Sequence, residues 1–280
     1  MFVLIFTNDI IIIMKIARIK YRNKIVFAKF ENNKFIELVG GFNSILRGKI
    51  QEKEIIDSNE IVKFLPPCKP TKIIGLARNY ESHAMEAQKM RPKQHREPDI
   101  FFKATSSLIG HLEKIKIPAF IKKPDYEGEL VIIISKKIKE VSSSEAKNCI
   151  LGYSIGNDIT ARDIQQEKGM ISLAKSLDTF SPVGPWFVTV DEIGDELNLN
   201  LILNLNGNVM QKENTSNMIF NVKEIISYVS KYFTLYPGDI IFTGTPSGVG
   251  HFREPPVYLK KGDKLEVTIE KIGTLLNEVE

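Results

Sequence analysis

The stretch DYEGELVIII, residues 125–134, decides the fold class of this chain of 280 residues. Its apolar residues 130–134 follow an acidic segment directly, and such a short apolar run is typical of a buried β-strand. Glu127 and Glu129 are two positions apart, so on a strand their side chains point to the same face. Two carboxylates on one face repel each other unless a cation separates them. The stretch therefore indicates either a solvated strand face with lysine neighbours or a site for a hard cation such as Mg²⁺, Mn²⁺ or Ca²⁺.

Short apolar runs of the same kind recur along the chain, punctuated by Gly, Pro and Asn. They lie at residues 72–75, 100–103, 186–190, 199–205 and 239–243. Two helices interrupt them, namely residues 143–151, where Ser143 or Ser144 caps the N-terminus, and residues 221–232, which repeat apolar residues at helical spacing. Strands outnumber helices and do not alternate regularly with them, as parallel βαβ units require. The pattern predicts an α+β fold that is predominantly β.

A proline-rich connector, PPCKP at residues 66–70, divides the chain. Three prolines in five positions remove backbone donors and favour an extended segment. We therefore predict a small N-terminal α+β domain at residues 1–67 and a larger C-terminal domain at residues 68–280. Residues 1–13 are interpreted as an extension before a true start at Met14.

The smaller unit has a mixed pattern. Residues 16–36 alternate between apolar and polar side chains, which predicts a hairpin. Gly40 and Gly41 break this pattern, and the residues from there to Phe64 predict a mixed helical stretch.

The composition argues against nucleic-acid and membrane partners. The chain has 38 basic and 34 acidic residues, which gives a net charge of +4. The basic residues are spread along the sequence and form no dense Lys/Arg block. Cys68 and Cys149 have no CxxC spacing, so they predict reduced thiols rather than a disulfide framework. Residues 1–14 are apolar, but Asn8 and Asp9 interrupt them, so they fit neither a signal peptide nor a membrane span. We expect a cytoplasmic protein.

Two further stretches offer carboxylates and a possible base. Asp158 and Asp163 follow the apolar run 150–155, and either is a candidate for a third carboxylate beside the two glutamates. His83 and Glu86 are three positions apart on a predicted helix, which suits a base with an orienting carboxylate. Such a pair is more often surface decoration.

A loop and a lysine complete the set of candidates. The loop at residues 244–250 offers backbone N–H groups and the Thr245 hydroxyl to a carboxylate or an oxyanion, or forms a tight turn. It lacks the Gly-Lys-Ser/Thr ending of a phosphate loop. Lys175 bears on the chemistry only if its ammonium group reaches the acidic cluster.

Six motifs, in order, resemble those of the fumarylacetoacetate hydrolase family, and the likeness covers the chain from about Thr71 onward. They read GLARNYESHAMEA at residues 75–87, DYEGELVIII at 125–134, GYSIGNDITARDIQ at 152–165, KSLDTFSPVGPW at 175–186, LNGNVMQKENTSNMIF at 205–220 and LYPGDIIFTGTPSGVG at 235–250. The resemblance implies a mixed β-sandwich roll with a small N-terminal domain, a C-terminal metal-binding catalytic domain and a homodimer.

The resemblance also implies roles for individual residues. Glu127, Glu129 and Asp158 would bind a divalent metal, with Mg²⁺ or Mn²⁺ first and Ca²⁺ as a further option. His83 and Glu86, on a lid at about residues 80–98, would form a dyad that deprotonates a water or a substrate carbon. Lys175 would stabilise developing negative charge. Gln165 and Thr245 would bind substrate oxygens.

Some neighbouring residues receive weaker assignments. Arg78 and Arg253 are candidates for binding a distal substrate carboxylate. Arg162 and Asp163 are expected to form a structural ion pair, because a buried arginine normally needs such a partner. His251 is expected to be a surface or packing residue.

The resemblance implies a divalent-metal-dependent hydrolase that cleaves a carbon–carbon bond in an acylpyruvate or a related 2,4-dioxo acid. The alternatives within the family are a 2-oxo acid decarboxylase, an enol/keto isomerase, and a sugar-acid dehydratase or hydrolase, because lid and pocket residues outside the motifs decide the reaction. A non-catalytic family member is the third alternative, which the presence of the dyad and the carboxylates disfavours.

Overall fold

The computed structural model describes residues 14–88, 97–193 and 198–280. Its strands are β1 (Lys15–Tyr21), β2 (Lys24–Glu31), β3 (Lys34–Val39), β4 (Gln51–Ile56), β5 (Ile61–Leu65), β6 (Ile73–Ala77), β7 (Asp99–Lys103), β8 (Leu108–Ile109), β9 (Lys114–Ile115), β10 (Pro124–Asp125), β11 (Gly128–Ile134), β12 (Ile150–Asn157), β13 (Thr160–Ala161), β14 (Ser181–Thr189), β15 (Asn200–Leu205), β16 (Asn208–Asn214), β17 (Ile240–Phe242), β18 (Lys264–Ile269) and β19 (Gly273–Val279). Its helices are α1 (Gly41–Leu46), α2 (Glu81–Gln88), α3 (Ser143–Ala146), α4 (Arg162–Lys168), α5 (Ile171–Lys175), α6 (Val190–Ile193) and α7 (Val222–Tyr232). The expected extension at residues 1–13 and residues 89–96 of the expected lid lie outside the described residues.

Two large sheets organise these strands. A 12-stranded sheet has the order β4-β3-β2-β1-β14-β12-β11-β17-β6-β7, with β5 paired to β1 and β8 paired to β14. A five-stranded sheet has the order β16-β15-β18-β19-β9. Most pairs are antiparallel, whereas β17 with β6, β14 with β8 and β19 with β9 are parallel. This mixed arrangement confirms the predicted α+β, predominantly β fold.

The central strand β11 is buried on both faces, which explains its unbroken apolar run. Leu130 and Ile132 pack into the core that also receives Leu203 and Val267 of the five-stranded sheet. Val131, on the opposite face, packs into a second core. The face of Val131 also carries Glu129, because residues two apart on a strand share a face. The face of β11 that packs into the second core therefore carries an acidic side chain, Glu129, at its N-terminal end.

The predicted elements of the C-terminal part are confirmed, with a change at each end of one helix. Helix α7 begins after Asn221, whose side chain accepts the N–H groups of Lys223 and Glu224 in a capping box. Helix α3 is shorter than predicted because a 3-10 turn follows it and β12 begins at Ile150. Its cap is Ser142, not Ser143 or Ser144.

The predicted helical stretch of the N-terminal part is wrong beyond α1. The hairpin is confirmed as β1 and β2, but residues 51–56 and 61–65 form the strands β4 and β5. Strand β4 begins QEKE, which favours a helix locally, yet it pairs with β3 as the outermost strand in the order of the larger sheet. Charged side chains on such an edge strand hinder pairing with other chains.

Strand β1 joins the N-terminal strands to the rest of the larger sheet. It pairs with β14 in antiparallel register, Lys15 opposite Val188 and Ile16 opposite Phe187. The domain boundary between residues 67 and 68 stays a prediction. In the part of the chain that the structure describes, none of the helices has the length and apolar character that a bilayer crossing requires.

Candidate metal centre and active site

Three carboxylates meet at the N-terminal end of β11. Glu127 and Glu129 lie at this end, and Asp158 follows the neighbouring strand β12, where Gly128 is paired with Asn157. One oxygen from each of the three carboxylates lies within 4.8 Å of the others, and all three residues are buried. The antiparallel pairing therefore brings together two motifs that are far apart in the sequence. Of the two candidates for the third carboxylate, it is Asp158 that joins the cluster.

Glu129 carries the one carboxylate oxygen of the described cluster that has no hydrogen-bond partner. Its Oε2 accepts the N–H of Gly244 at 2.7 Å, whereas its Oε1 is buried without a hydrogen-bond partner. Burial, together with the neighbouring Asp158 and Glu127, raises the pKa of Glu129 well above its usual range. Buried polar oxygens are normally paired, so this oxygen fits a site that a divalent ion completes.

Lys175 and Arg162 lie against the other cluster carboxylates. The Lys175 ammonium donates to Glu127 Oε2 and to Asp158 Oδ2, both at 2.6 Å. Arg162 Nη2 donates to Glu127 Oε1 at 2.5 Å. Burial alone would raise the pKa of Glu127, but Lys175 and Arg162 outweigh it and lower the pKa to about 2. Lys175 thus lies where the sequence analysis required it, against the acidic cluster.

The expected ion pair of Arg162 with Asp163 is wrong. Arg162 Nε donates to Asp125 Oδ2 at 2.9 Å, and its Nη1 donates to Gln165 Oε1 at 2.9 Å. Asp163 instead accepts the backbone N–H of Lys122 at 2.7 Å. Adjacent residues at the start of α4 point in different directions, so Arg162 finds its carboxylates on the segment before β11.

The predicted dyad lies beside the cluster on α2. His83 is 7% exposed, and its Nδ1 lies 3.3 Å from Glu86 Oε2. The Glu86 carboxylate also accepts the N–H of Gly248, at 3.0 Å to Oε1 and 3.1 Å to Oε2. His83 is therefore buried rather than surface decoration, and its partner carboxylate is anchored to the glycine-rich loop.

A cleft of about 360 Å³ opens over these groups. Its lining includes His83, Glu127, Lys175, Arg78, Gln165, Thr245, Gln166, Arg162, Asp99, His251 and Phe252. Of the residues predicted to bind substrate, Gln165, Thr245 and Arg78 line the cleft. Arg78 Nη2 pairs with Asp99 Oδ2 at 2.6 Å. The Thr245 hydroxyl donates to the Gly128 carbonyl at 3.0 Å and accepts from Gln211 Nε2 at 2.8 Å.

The comparison with protein families decides the family. Residues 72–280 match the family model described as fumarylacetoacetate (FAA) hydrolase C-terminal. The chain belongs to the fumarylacetoacetate hydrolase family. The match begins just after the proline-rich connector and includes every residue of the cluster, the dyad and the cleft described above.

Relatives within the fumarylacetoacetate hydrolase family carry several activities in their names. The chain is 39% identical to the mitochondrial oxaloacetate tautomerase Fahd2a of Rattus norvegicus, over 80% of this chain and 71% of the relative. It is 46% identical to a 2,4-didehydro-3-deoxy-L-rhamnonate hydrolase of Sphingomonas, over 74% and 73% of the two chains. A 2-hydroxyhepta-2,4-diene-1,7-dioate isomerase of Mycobacterium marinum has a similar structure, with a TM-score of 0.81, 34% identity, and coverage of 95% and 98%.

Two buried residues of this family site were not identified from the sequence. Lys103, at the end of β7, donates to Asp158 Oδ1 and to the Phe180 carbonyl at 3.0 Å, and burial lowers its pKa. Asp125 accepts from Arg162 and from the N–H of Gly250 at 2.8 Å. A lysine that closes an apolar strand, as in DIFFK, was the available signal for Lys103. Asp125 is the first residue of DYEGELVIII, and its place two positions before Glu127 was the available signal.

Two residues with weaker assignments lie at the glycine-rich loop. Arg253 Nε donates to the Gly248 carbonyl at 3.2 Å and its Nη2 to the Met210 carbonyl at 2.5 Å. Its described hydrogen bonds thus hold the glycine-rich loop against strand β16. His251, expected to be a surface or packing residue, is half-buried, packs against Phe252 and also lines the cleft.

Proposed function

We propose that this chain is a divalent-metal-dependent enzyme that catalyses keto–enol tautomerisation of a small 2-oxo acid. The observation that carries the proposal is the buried, unpaired Oε1 of Glu129 inside a carboxylate cluster that shares a cleft with His83. A Lewis acid near the ketone and a base near the adjacent carbon accelerate enolisation, and this cleft offers residues for both.

Glu127, Glu129 and Asp158 are the residues that would hold the ion, which we propose is Mg²⁺ or Mn²⁺, with Ca²⁺ as the third option. When bound, such an ion polarises the ketone and the carboxylate of a 2-oxo acid. The three oxygens are hard ligands, and the described cluster includes no thiol or imidazole. The unpaired oxygen of Glu129 fits this assignment because a carboxylate ligand leaves no orphan atom once an ion is bound.

His83 is the group that we assign to proton transfer. If its Nδ1–H donates to Glu86, its Nε2 is free of a proton and can take one from carbon 3 of the substrate. The C3–H bond then breaks, its electron pair forms the C2–C3 double bond, and the ketone oxygen receives the negative charge and afterwards a proton. Lys175, held at the edge of the cluster, stabilises that charge, and Gln165 and Thr245 orient the substrate.

The second candidate function is the predicted hydrolysis of a carbon–carbon bond in an acylpyruvate or related 2,4-dioxo acid. The His83–Glu86 pair favours it, because a histidine oriented by a carboxylate also suits the deprotonation of a water. The hydrolase named among the relatives is 46% identical to this chain and supports keeping the candidate. Both reactions start from the same polarised ketone.

The discriminating experiment uses the metal-stripped protein with and without Mg²⁺ or Mn²⁺. Enolic oxaloacetate and acetylpyruvate are followed by ultraviolet absorbance, and the products are identified by NMR. We expect metal-dependent loss of the enol form without cleavage. Metal-dependent release of acetate and pyruvate from acetylpyruvate would establish hydrolysis instead. Equal rates with and without metal would overturn both candidates.

Replacing His83 tests the assigned base. His83→Ala should lower kcat by about 10²–10⁴-fold while Mn²⁺ affinity is retained, because the imidazole is not part of the carboxylate cluster. Glu81→Ala, an exposed position on the same helix, is the matched control and should leave kcat unchanged. Unchanged turnover in His83→Ala would place the base elsewhere.

We also keep the homodimer and the cytoplasmic location as proposals. Light scattering coupled to gel filtration tests the first, with a mass of one 31.8 kDa chain as the contradicting result. Fractionation of the native cells tests the second.

A further inference from the structure

One wall of the cleft is a row of rings that leads away from the assigned base. The ring centroids of His83 and Phe252 are 6.2 Å apart, and those of Phe252 and His251 are 4.9 Å apart. Tyr258 extends the row behind His251, with centroids 6.0 Å apart. A substrate whose reacting carbon lies near His83 therefore has room to place its tail along this wall, towards His251.

The hydrogen bonds of His251 define which of its ring nitrogens carries the proton. Gln166 Nε2 lies 2.7 Å from His251 Nε2, and an amide nitrogen only donates, so His251 Nε2 is the acceptor. The ring proton then sits on Nδ1 and is donated to the Tyr258 hydroxyl at 2.8 Å. The backbone N–H of His251 donates to Asp125 Oδ2 at 3.0 Å, which fixes the residue to the buried centre.

Gln166 and His251, hereafter the distal pair, present one donor and one acceptor next to each other. Gln166 is exposed, so its amide can turn aside without losing buried contacts. A hydroxyl group then fits between them, because its oxygen accepts from the amide while its proton is donated to His251 Nε2. A carboxylate has no proton to donate and would face the lone pair of that nitrogen.

The charges around the cleft also favour a neutral substrate tail over a second carboxylate. Among the described residues, the guanidinium groups that line the cleft are already paired, Arg78 with Asp99 and Arg162 with Asp125 and Glu127. A second substrate carboxylate would have to displace one of these partners. A neutral polar tail does not.

We propose that the distal pair binds a hydroxyl group on the substrate tail, so that the preferred substrates are hydroxylated 2-oxo monocarboxylates. This inference rests on the proposed function, because it concerns the tail of the same 2-oxo acid. It makes Gln166 and His251 specificity-determining residues that contact the substrate at a distance from the reacting carbon.

The test compares three five-carbon acids that differ at the end of the tail: 5-hydroxy-2-oxopentanoate, 2-oxopentanoate and 2-oxoglutarate. Each is incubated with the protein and Mn²⁺ or Mg²⁺ in D₂O, and loss of the C3 proton signal is followed by NMR after subtraction of the protein-free rate. We expect kcat/KM to be about 5–10-fold higher for the hydroxy acid than for 2-oxopentanoate, the size of one to two net hydrogen bonds. The preference should appear mainly in KM.

Two near-isosteric variants locate the effect. His251→Phe keeps the ring against Phe252 but removes both nitrogens, and Gln166→Met keeps the chain length but removes the amide. In each variant the ratio of kcat/KM between the hydroxy acid and 2-oxopentanoate should fall to about 1–2. Gln51→Met, at an exposed position on β4, should leave the ratio at its original value.

The outcomes separate the two proposals. Metal-dependent exchange of all three acids at similar rates, a preference for 2-oxoglutarate, or a preference that survives both variants would overturn the distal pair and leave the proposed function standing. Absence of metal-dependent exchange for every acid would overturn the inference. The proposed function falls with it only if metal-dependent loss of enolic oxaloacetate is also absent.

Discussion

The ion pairs of the buried centre differ from those of the N-terminal strands in what their loss would cost. Arg162 and its partner Asp125 have side chains that are 4% and 0% exposed, whereas those of Arg22 and Glu60 are 60% and 41% exposed. Water replaces a lost partner at the surface but not in the interior, so a broken buried pair leaves an uncompensated charge. The N–O distances of the two pairs are similar, so the comparison shows that burial, rather than distance, determines how much an ion pair contributes to stability.

The largest expected effect comes from making the same substitution in both regions. Arg162→Met should destabilise the protein by about 3–5 kcal/mol, because Asp125 and Glu127 lose their shared partner. Arg22→Met, the matched control, should leave the urea midpoint unchanged, since water solvates Glu60. Equilibrium unfolding followed by the fluorescence of Trp186, the single tryptophan, measures both. Equal midpoints for the two variants would break the comparison.

The next effect concerns metal affinity. Glu129→Gln should weaken Mn²⁺ binding by about 100-fold or more, because losing even an outer partner of a metal ligand typically costs 10–100-fold. The metal-free protein should keep its stability, since the raised pKa of Glu129 favours the uncharged form that glutamine imitates. Calorimetric titration gives the affinity, with Glu60→Gln as the surface control. Undiminished affinity in Glu129→Gln would remove this carboxylate from the metal site.

A smaller effect, on the pH dependence of stability, is expected at His111, which contacts both the N-terminal strands and the C-terminal part. Its ring packs on Phe64 of β5, and its Nδ1 accepts the N–H of Leu276 in β19 at 3.1 Å. Burial lowers the pKa of His111 to about 4, below the ordinary 6.5 of the unfolded chain. The unfolded state therefore binds more protons between these values, so stability falls as the pH drops from about 7 towards 4 and is unaffected above 7.

His111→Gln should remove this pH dependence. Wild-type protein should lose about 1–2 kcal/mol between pH 7 and pH 5 from this group, which the variant would not lose. Urea midpoints at pH 8, 7, 6 and 5 for both proteins give the difference. An identical slope in the two proteins would assign the acid sensitivity to other groups.

The smallest effect belongs to a partly exposed pair of the N-terminal strands. Lys29 donates to Glu52 at 2.7 Å across the strands. A double-mutant cycle with Lys29→Met and Glu52→Gln should give a coupling energy below about 1 kcal/mol. The coupling should shrink further in 1 M salt because exposed charges are screened. A coupling comparable to the loss in Arg162→Met would contradict the contrast between the two regions.

Sequence reasoning predicted features that depend on neighbours along the chain. The apolar run of β11 and the cap and apolar spacing of α7 are local patterns, and the six motifs carried the cluster carboxylates and the dyad. Strand β4 was not predicted, because the segment QEKE favours a helix locally and becomes a strand only through pairing with β3. The contacts of Lys103 with Asp158 and of Arg162 with Asp125 span 55 and 37 positions, so no local pattern announces them.

The pairing of β1 with β14 has a practical consequence for expressing the C-terminal part by itself. A chain cut at the proline-rich connector would lose the strand that covers this side of β14. Val188 and Phe187 would lose their partners Lys15 and Ile16, and the Trp186 ring would lose its stacking partner Phe30, at 4.7 Å between centroids. An exposed strand edge with apolar side chains templates association with other chains. A truncated C-terminal fragment would therefore aggregate unless a substitute strand or charged substitutions were designed along β14.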